Sequence, residues 1–146
     1  MKNRVFAFVF VIFLSGCSTP GTYSMQSGNL ALAFIQKTVD SSMPRGTRQV
    51  SANGREFYSN YFLPKGSDLI NATSKSRRFY AHVQVFGDRR PYKIIVGVVL
   101  EARTEPGVYQ YVKNDQRIAK ALFKRIKHRL AKGREDQNVI DDFRVF

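Results

Sequence analysis

The chain has 146 residues, of which 43% are hydrophobic and 13% aromatic, a composition that excludes general disorder and fits one domain with one core. Lysine and arginine number 24 against 11 aspartates and glutamates, giving a net charge of +13, so the surface is expected to favour anionic partners. The single cysteine excludes a disulfide within the chain.

The first predicted element is a signal peptide over residues 1–16. Lys2 and Arg4 precede an apolar run at residues 5–14, and that run is about half as long as a membrane-spanning helix. A basic end, a short apolar segment and small residues before a cut are typical of an export signal that is removed. The alternative is that Cys17 is a buried small hydrophobe after an apolar run.

The segment Leu14-Ser15-Gly16-Cys17 resembles the lipobox of bacterial lipoproteins. The resemblance implies that the Cys17 thiol receives a diacylglyceryl group, that cleavage occurs just before it, and that the new amino terminus is acylated, for example with palmitate. Ser18 stands where an aspartate would favour retention in the inner membrane of enteric bacteria. We therefore expect a lipid anchor on the periplasmic side of the outer membrane, with the inner membrane as the alternative.

Residues 17–28 are predicted to be the acylated cysteine and a flexible tether, because they are small or polar and show no periodicity. Residues 29–146 are expected to form a single α+β periplasmic domain. Helical spacing of apolar residues predicts its first helix at residues 30–43, with Asn29 or Ser27 as the cap.

A tight turn at Asn53-Gly54 is the clearest hairpin signal. Asn-Gly tolerates the positive φ angles of a two-residue turn, which would join strands at residues 47–52 and 55–63 and set Val50 opposite Phe57.

Residues 64–76 are polar and predict a long loop that is a possible contact site. Alternation predicts a strand with one apolar face at residues 78–86. The nearly continuous apolar run at residues 92–101 predicts the central strand of the sheet.

A basic helix follows a short segment at residues 108–112. Asn114 or Asp115 is its predicted cap and Gly133 its predicted end, and residues 139–146 are expected to form an edge strand or an ordered tail. Its apolar stripe is predicted to pack on the sheet, with insertion into a membrane as the alternative. The opposite face carries the residues predicted to bind an anion or a partner, which are Arg117, Lys120, Lys124 and Lys127.

Three short segments combine positive charge with aromatic rings, at residues 55–58, 77–80 and 89–93. We interpret them chiefly as core and cross-strand packing, with binding of single-stranded nucleic acid or phosphorylated sugars and lipids as the alternative. Arg89 and Arg90 occupy a predicted hairpin tip and are further candidates for anion or partner binding.

Catalytic and metal motifs are absent from the sequence. His82 and His128 lack the spacing of metal ligands, and no serine lies in a nucleophile motif. We therefore expect no metal, no cofactor and no enzymatic activity. A small hydrolase of envelope polymers remains the alternative, in which Glu101 or Glu105 would face His82.

The order helix, hairpin, hairpin, helix predicts an α+β two-layer sandwich, with an antiparallel sheet of about four strands and the N-terminal and C-terminal helices on one face. This order is similar in outline to the outer-membrane lipoprotein of lipopolysaccharide export. That family has a strand and an aromatic residue next to the acylated cysteine, where this chain has Ser18-Thr19-Pro20, so no functional residue is carried over.

The predicted function is a non-catalytic binding or adaptor lipoprotein of the cell envelope. Its basic surface would hold an anionic lipid, lipopolysaccharide or an envelope protein. Solubility alone is the alternative role of the charge. Nucleic acid is expected as a partner only if the export signal is not used, and the oligomeric state stays open.

Overall fold

The computed structural model describes residues 20–142, with side chains described as far as residue 134. The predicted signal peptide, Cys17 and residues 143–146 lie outside the described residues. The fold is α+β, with an antiparallel sheet of eight strands and two helices. In chain order the elements are β1 (Tyr23–Gln26), α1 (Leu32–Ser42), β2 (Thr47–Val50), β3 (Glu56–Ser59), β4 (Phe62–Lys65), β5 (Asp68–Asn71), β6 (Arg77–Phe86), β7 (Lys93–Glu105), β8 (Val108–Asn114) and α2 (Gln116–Asp142).

Strand β7 is the centre of the sheet, as its apolar run predicts. Along one side it pairs with β6 from end to end of that strand. Along the other side it pairs first with β1 and then with β8. Beyond β6 the sheet continues through β3 to β2 and through β4 to β5. One edge of the sheet therefore consists of β1 and β8, and the other of β2 and β5.

The hydrophobic core lies against alternate residues of β6 and β7. Paired residues share a face, so Val83 and Val96, which are opposite each other, point into the same layer. Side chains of α1 and α2 belong to the same hydrophobic cluster as those of the two strands. Its fully buried members include Ile35, Val39, Val83, Ile94, Val96, Val98 and Ile126.

The predicted tether is wrong in its second half, because residues 23–26 form β1 and pair with residues 93–96. Ser27 is buried, and its hydroxyl accepts a hydrogen bond from the backbone N–H of Tyr92 at 2.9 Å. It does not cap α1, which begins after Ala31 without a side-chain cap. A strand of four mixed residues is too short to show alternation, and it is extended only because β7 offers an edge.

The turn at Asn53-Gly54 joins β2 to β3 and places Val50 opposite Phe57, as predicted. Gly54 has a φ of 65°. The backbone N–H of Ser51 bonds to the carbonyl of Glu56 at 2.9 Å, so the loop has four residues and the predicted two-residue turn is wrong. Side chains cause the difference, since the Ser51 hydroxyl accepts from the backbone N–H of Glu56 at 2.9 Å.

The predicted strand over residues 55–63 is two strands, β3 and β4, separated at Asn60. The side-chain amide of Asn60 donates to the carbonyl of Arg45 at 2.8 Å, which holds the break. Strand β4 then turns at Gly66-Ser67 and pairs with β5, inside the segment predicted as a loop. Gly66 has a φ of 61°, as such a tight turn requires. With β1, β8 and this hairpin, the predicted four strands become eight.

Helix α2 continues to Asp142 and passes Gly133, where the sequence predicts its end. Gly133 is buried, and a Cβ added there would lie 1.9 Å from Cζ of Phe34 on α1. The glycine therefore allows two helices to approach closely and does not terminate one. The backbone at residues 139–142 is helical, which contradicts the strand or tail predicted there.

Candidate anion-binding surface

The outward face of α2 is the largest basic surface that the sequence predicts. The helix starts where the Asp115 carboxylate accepts a hydrogen bond from the backbone N–H of Ile118 at 2.9 Å, so Asp115 is the cap. Its apolar stripe is buried at Ala119, Leu122 and Ile126, which confirms packing over membrane insertion. Because that stripe faces the core, the opposite side of the helix faces solvent.

Four basic side chains lie exposed on that side, and we call them the basic patch: Arg117, Lys120, Lys124 and Lys127. They lie along ten residue steps of helix, roughly 15 Å at 1.5 Å per residue. The two close contacts between basic and acidic groups among the described side chains lie in the sheet, joining Arg78 to Glu101 and His82 to Glu56. Within that part of the chain no carboxylate neutralises the patch, so it can attract phosphate or carboxylate groups.

Two further arginines of α2 contact other segments of the fold. The sequence of the helix does not distinguish them from the residues of the basic patch. The Arg129 guanidinium donates to the carbonyl of Ser41 at 2.7 Å, which ties α2 to the end of α1. The Arg134 guanidinium donates to the carbonyl of Ser27 at 3.1 Å, which ties α2 to the residue that follows β1. These two arginines differ from the patch only in the segments against which they lie, and that is a property of the tertiary structure.

A depression of about 210 Å³ lies between β1 and α2. Lys127 of the basic patch and Arg134 supply its charge, and Met25 and Leu130 supply apolar wall. None of the described side chains that line it is acidic. A depression with two cations and an apolar wall suits a small anionic group attached to an apolar body.

Arg89 and Arg90 are exposed between β6 and β7, on a segment separate from α2. The Arg55 guanidinium donates to the carbonyl of Gly87 and lies 5.9 Å from the ring centroid of Tyr92. These contacts fix the base of the tip. The neighbouring depression of about 290 Å³ is lined by Arg55 but also by Glu56 and Asp88, so its charge is mixed.

A stacked arginine occupies the polar face of the sheet, opposite to the buried residues of β6. The Arg78 guanidinium lies 3.5 Å from the ring centroid of Tyr61 and 3.3 Å from that of Tyr109. Its Nε donates to Glu101 at 2.9 Å. Arg48 adds a second cation, 4.2 Å from the Tyr61 centroid. The interpretation of the 77–80 segment as cross-strand packing is confirmed, but Tyr61 lies just before β4 and Tyr109 lies in β8. Sequence spacing relates neither residue to Arg78.

His82 neighbours Glu56 on the same face. Nε2 of His82 is shielded from solvent and lies 3.4 Å from the Glu56 carboxylate, while its ring stacks on Tyr58 with centroids 4.3 Å apart. Burial lowers the pKa of His82. The hydrogen bond that Tyr58 donates to Glu56 lowers the pKa of that carboxyl group. At neutral pH the pair is therefore a neutral imidazole beside a carboxylate.

The hydrolase alternative places Glu101 or Glu105 opposite His82. Glu101 is instead engaged by Arg78, and the residue directly opposite His82 is Gly97. Four residues of strand separate the two sites, roughly 13 Å. The carboxylate beside His82 is thus Glu56, which the sequence does not single out.

Within the described part of the chain, no group of three histidine, cysteine or acidic residues is arranged to hold a metal ion. Neither described helix combines the length and apolarity needed to cross a bilayer. No protein-family model matches the chain, and it matches no curated protein.

Proposed function

We propose that this protein is a lipid-anchored, non-catalytic binding module of the bacterial cell envelope. Acylated Cys17 would hold it on the periplasmic side of the outer membrane, and the basic patch would bind an anionic lipid, lipopolysaccharide or an acidic envelope protein. The lipobox residues support the anchor. The single observation that carries the binding role is the exposure of four cations on one helix face without an ion-pair partner among the described side chains.

We further propose that both helices cover the same face of the sheet. Support comes from the shared cluster, since Ile35 of α1 and Ile126 of α2 pack with Val83 and Val96, which share a face. In this arrangement the basic patch faces away from the sheet. The stacked Arg78 then lies on the other side of the molecule, with its charge offset by Glu101.

The anchor is tested by metabolic labelling with a fatty acid. Wild-type chain should incorporate the label and sediment with the outer membrane in a sucrose gradient, and Cys17→Ser should lose the label. Unlabelled wild-type protein in the cytoplasm would contradict the proposal. That result would instead favour nucleic acid as the partner of the basic surface.

The binding role is tested with a chain that begins at Ser18, so that the anchor does not mask weaker contacts. Each basic residue near an anionic bilayer contributes about 1 kcal/mol. Replacing the basic patch with four glutamines should therefore weaken binding to anionic vesicles by up to roughly 1,000-fold. Its salt dependence should fall as well.

The matched control removes the same charge from other exposed positions. Three lysines and one arginine are again replaced by glutamine, and this second variant should bind nearly as the parent does. If both variants lose the same affinity, net charge alone attracts the vesicles. If the parent binds neither anionic vesicles nor lipopolysaccharide at low salt, the ligand is a protein or the patch serves solubility. The control positions are Lys37, Lys65, Lys75 and Arg77.

A further inference from the structure

The point at which the chain approaches Cys17 is fixed on one edge of the sheet. The carbonyl of Pro20 accepts a hydrogen bond from the Asn114 side-chain amide at 2.9 Å. Gly21 packs so closely that an added Cβ would lie 2.7 Å from Cβ of Asn114. Three residue steps from Pro20 to Cys17 reach at most about 11 Å, whatever path they take. An acyl group on Cys17 must therefore enter the membrane beside Asn114.

Exposed apolar side chains concentrate on the strand that ends there. Among the described residues six large hydrophobic side chains are exposed, and three of them belong to β8. Tyr111 is 63% exposed and lies three residues before Asn114, and Val112 is 49% exposed and lies two residues before it. The other three lie singly on β2, β5 and β6. Among the described strands β8 pairs only with β7, so none of them covers its outer edge.

Basic residues flank this apolar surface. Lys113 and Arg117 are both exposed, on either side of Asn114. A tyrosine and a valine beside two cations match the head-group region of a bilayer, where apolar side chains enter the acyl boundary and cations meet phosphates. Pairing of β8 with a second copy would instead bring these like charges together in a strongly basic chain.

We propose that the β1–β8 edge lies directly on the anionic head-group layer of the membrane that holds Cys17. Tyr111 and Val112 enter that layer, and Lys113 and Arg117 contact its phosphates. This inference rests on the proposed acylation of Cys17. The anionic ligand is then the bilayer that holds the anchor, and the β1–β8 edge is the side of the domain that faces this bilayer.

The basic patch is continuous with this edge. Helix α2 packs beside β1. The rings of Phe123 and Tyr23 have centroids 5.6 Å apart, and Lys127 lines the same depression as Met25. A domain lying on the β1–β8 edge therefore brings the flank of α2 to the same bilayer. The acyl chains supply the anchoring energy, and the edge fixes the orientation.

The chain contains no tryptophan, so the fluorescence of a single introduced tryptophan reports how deeply that position enters the bilayer. Val112→Trp places the probe on β8. Val50→Trp is the matched control, because Val50 is also on an edge strand and is 43% exposed. It lies four strand spacings from β8, roughly 19 Å. Each variant is made as the full, processed chain and reconstituted in vesicles of phosphatidylethanolamine and phosphatidylglycerol with brominated acyl chains.

Val112→Trp should lose most of its emission to bromine and shift to shorter wavelength, and Val50→Trp should keep its emission. Equal or stronger quenching at Val50 would overturn the proposal. A shift at Val112 without quenching would also overturn it, because another protein surface would then cover β8. If Val112→Trp does not fold, Tyr111→Trp replaces it.

Flotation of the wild-type chain with vesicles at high salt tests the lipid anchor independently of the orientation of the domain. Its failure would refute acylation, and with it this inference. Flotation with the wrong quenching pattern would refute the orientation and leave the anchor standing.

Discussion

Gly133 offers the sharpest test of how the helices pack. A Cβ at this position would lie 1.9 Å from Cζ and 2.6 Å from Cε1 of Phe34. Carbon atoms in contact are normally about 3.5–4.0 Å apart. Gly133→Ala must therefore displace the Phe34 ring or separate α1 from α2, although alanine is otherwise the better helix former.

Two opposing effects set the magnitude. Alanine in place of glycine inside a helix stabilises it by about 1 kcal/mol. Overpacking a closely packed site costs about 1–3 kcal/mol, and an overlap of this depth lies at the upper end. We expect a net loss of about 1–2 kcal/mol in the free energy of unfolding. For a domain of this size the Tm should fall by roughly 3–8 °C.

A double-mutant cycle with Phe34→Ala isolates the overlap. Removing the ring removes the clash, so in that background Gly133→Ala should stabilise the protein by about 0.5–1 kcal/mol. Ala121→Gly, at an exposed position of the same helix, measures the intrinsic helix term alone. Urea and thermal unfolding of all variants provide the free energies. If Gly133→Ala stabilises both backgrounds equally, the helices do not approach closely at Gly133.

Three further changes test other contacts. Ser27→Ala removes the acceptor of a buried backbone N–H and should cost about 1–3 kcal/mol in urea unfolding, whereas Ser67→Ala in an exposed turn should cost almost nothing; equal losses would contradict the placement of β1. Arg78→Lys keeps the charge but loses stacking on two rings, so the Tm should fall measurably at neutral pH, and an unchanged Tm would show that the stack contributes no stability. Burial lowers the pKa of His82 below its ordinary 6.5, so the unfolded chain binds the extra proton first and stability should fall as pH drops below about 6.5; His82→Gln should flatten that part of a Tm–pH curve, and an unchanged slope would assign it to other groups.

Periodic segments of the sequence determine their own secondary structure. The apolar run of β7 and the alternation of β6 predict the centre of the sheet. The apolar stripe of α2 predicts the buried face of that helix and, opposite to it, the exposed basic patch. These features depend on neighbours within one element, since a strand repeats every two residues and a helix about every 3.6. The export signal and the lipobox resemblance are equally local, and they remain predictions.

Contacts between distant segments decide the rest. The sequence of β1 predicts a tether, and its pairing with β7 makes it a strand. Gly133 predicts a helix end, and its contact with the Phe34 ring shows a close approach of two helices instead. Tyr61, just before β4, and Tyr109, in β8, both stack on Arg78 although they are far apart in the chain. The hydrogen bond from Asn114 to Pro20 joins residues 94 apart. Only the tertiary structure determines these pairings, because each partner's local sequence permits several conformations and the choice depends on the surface that another segment presents.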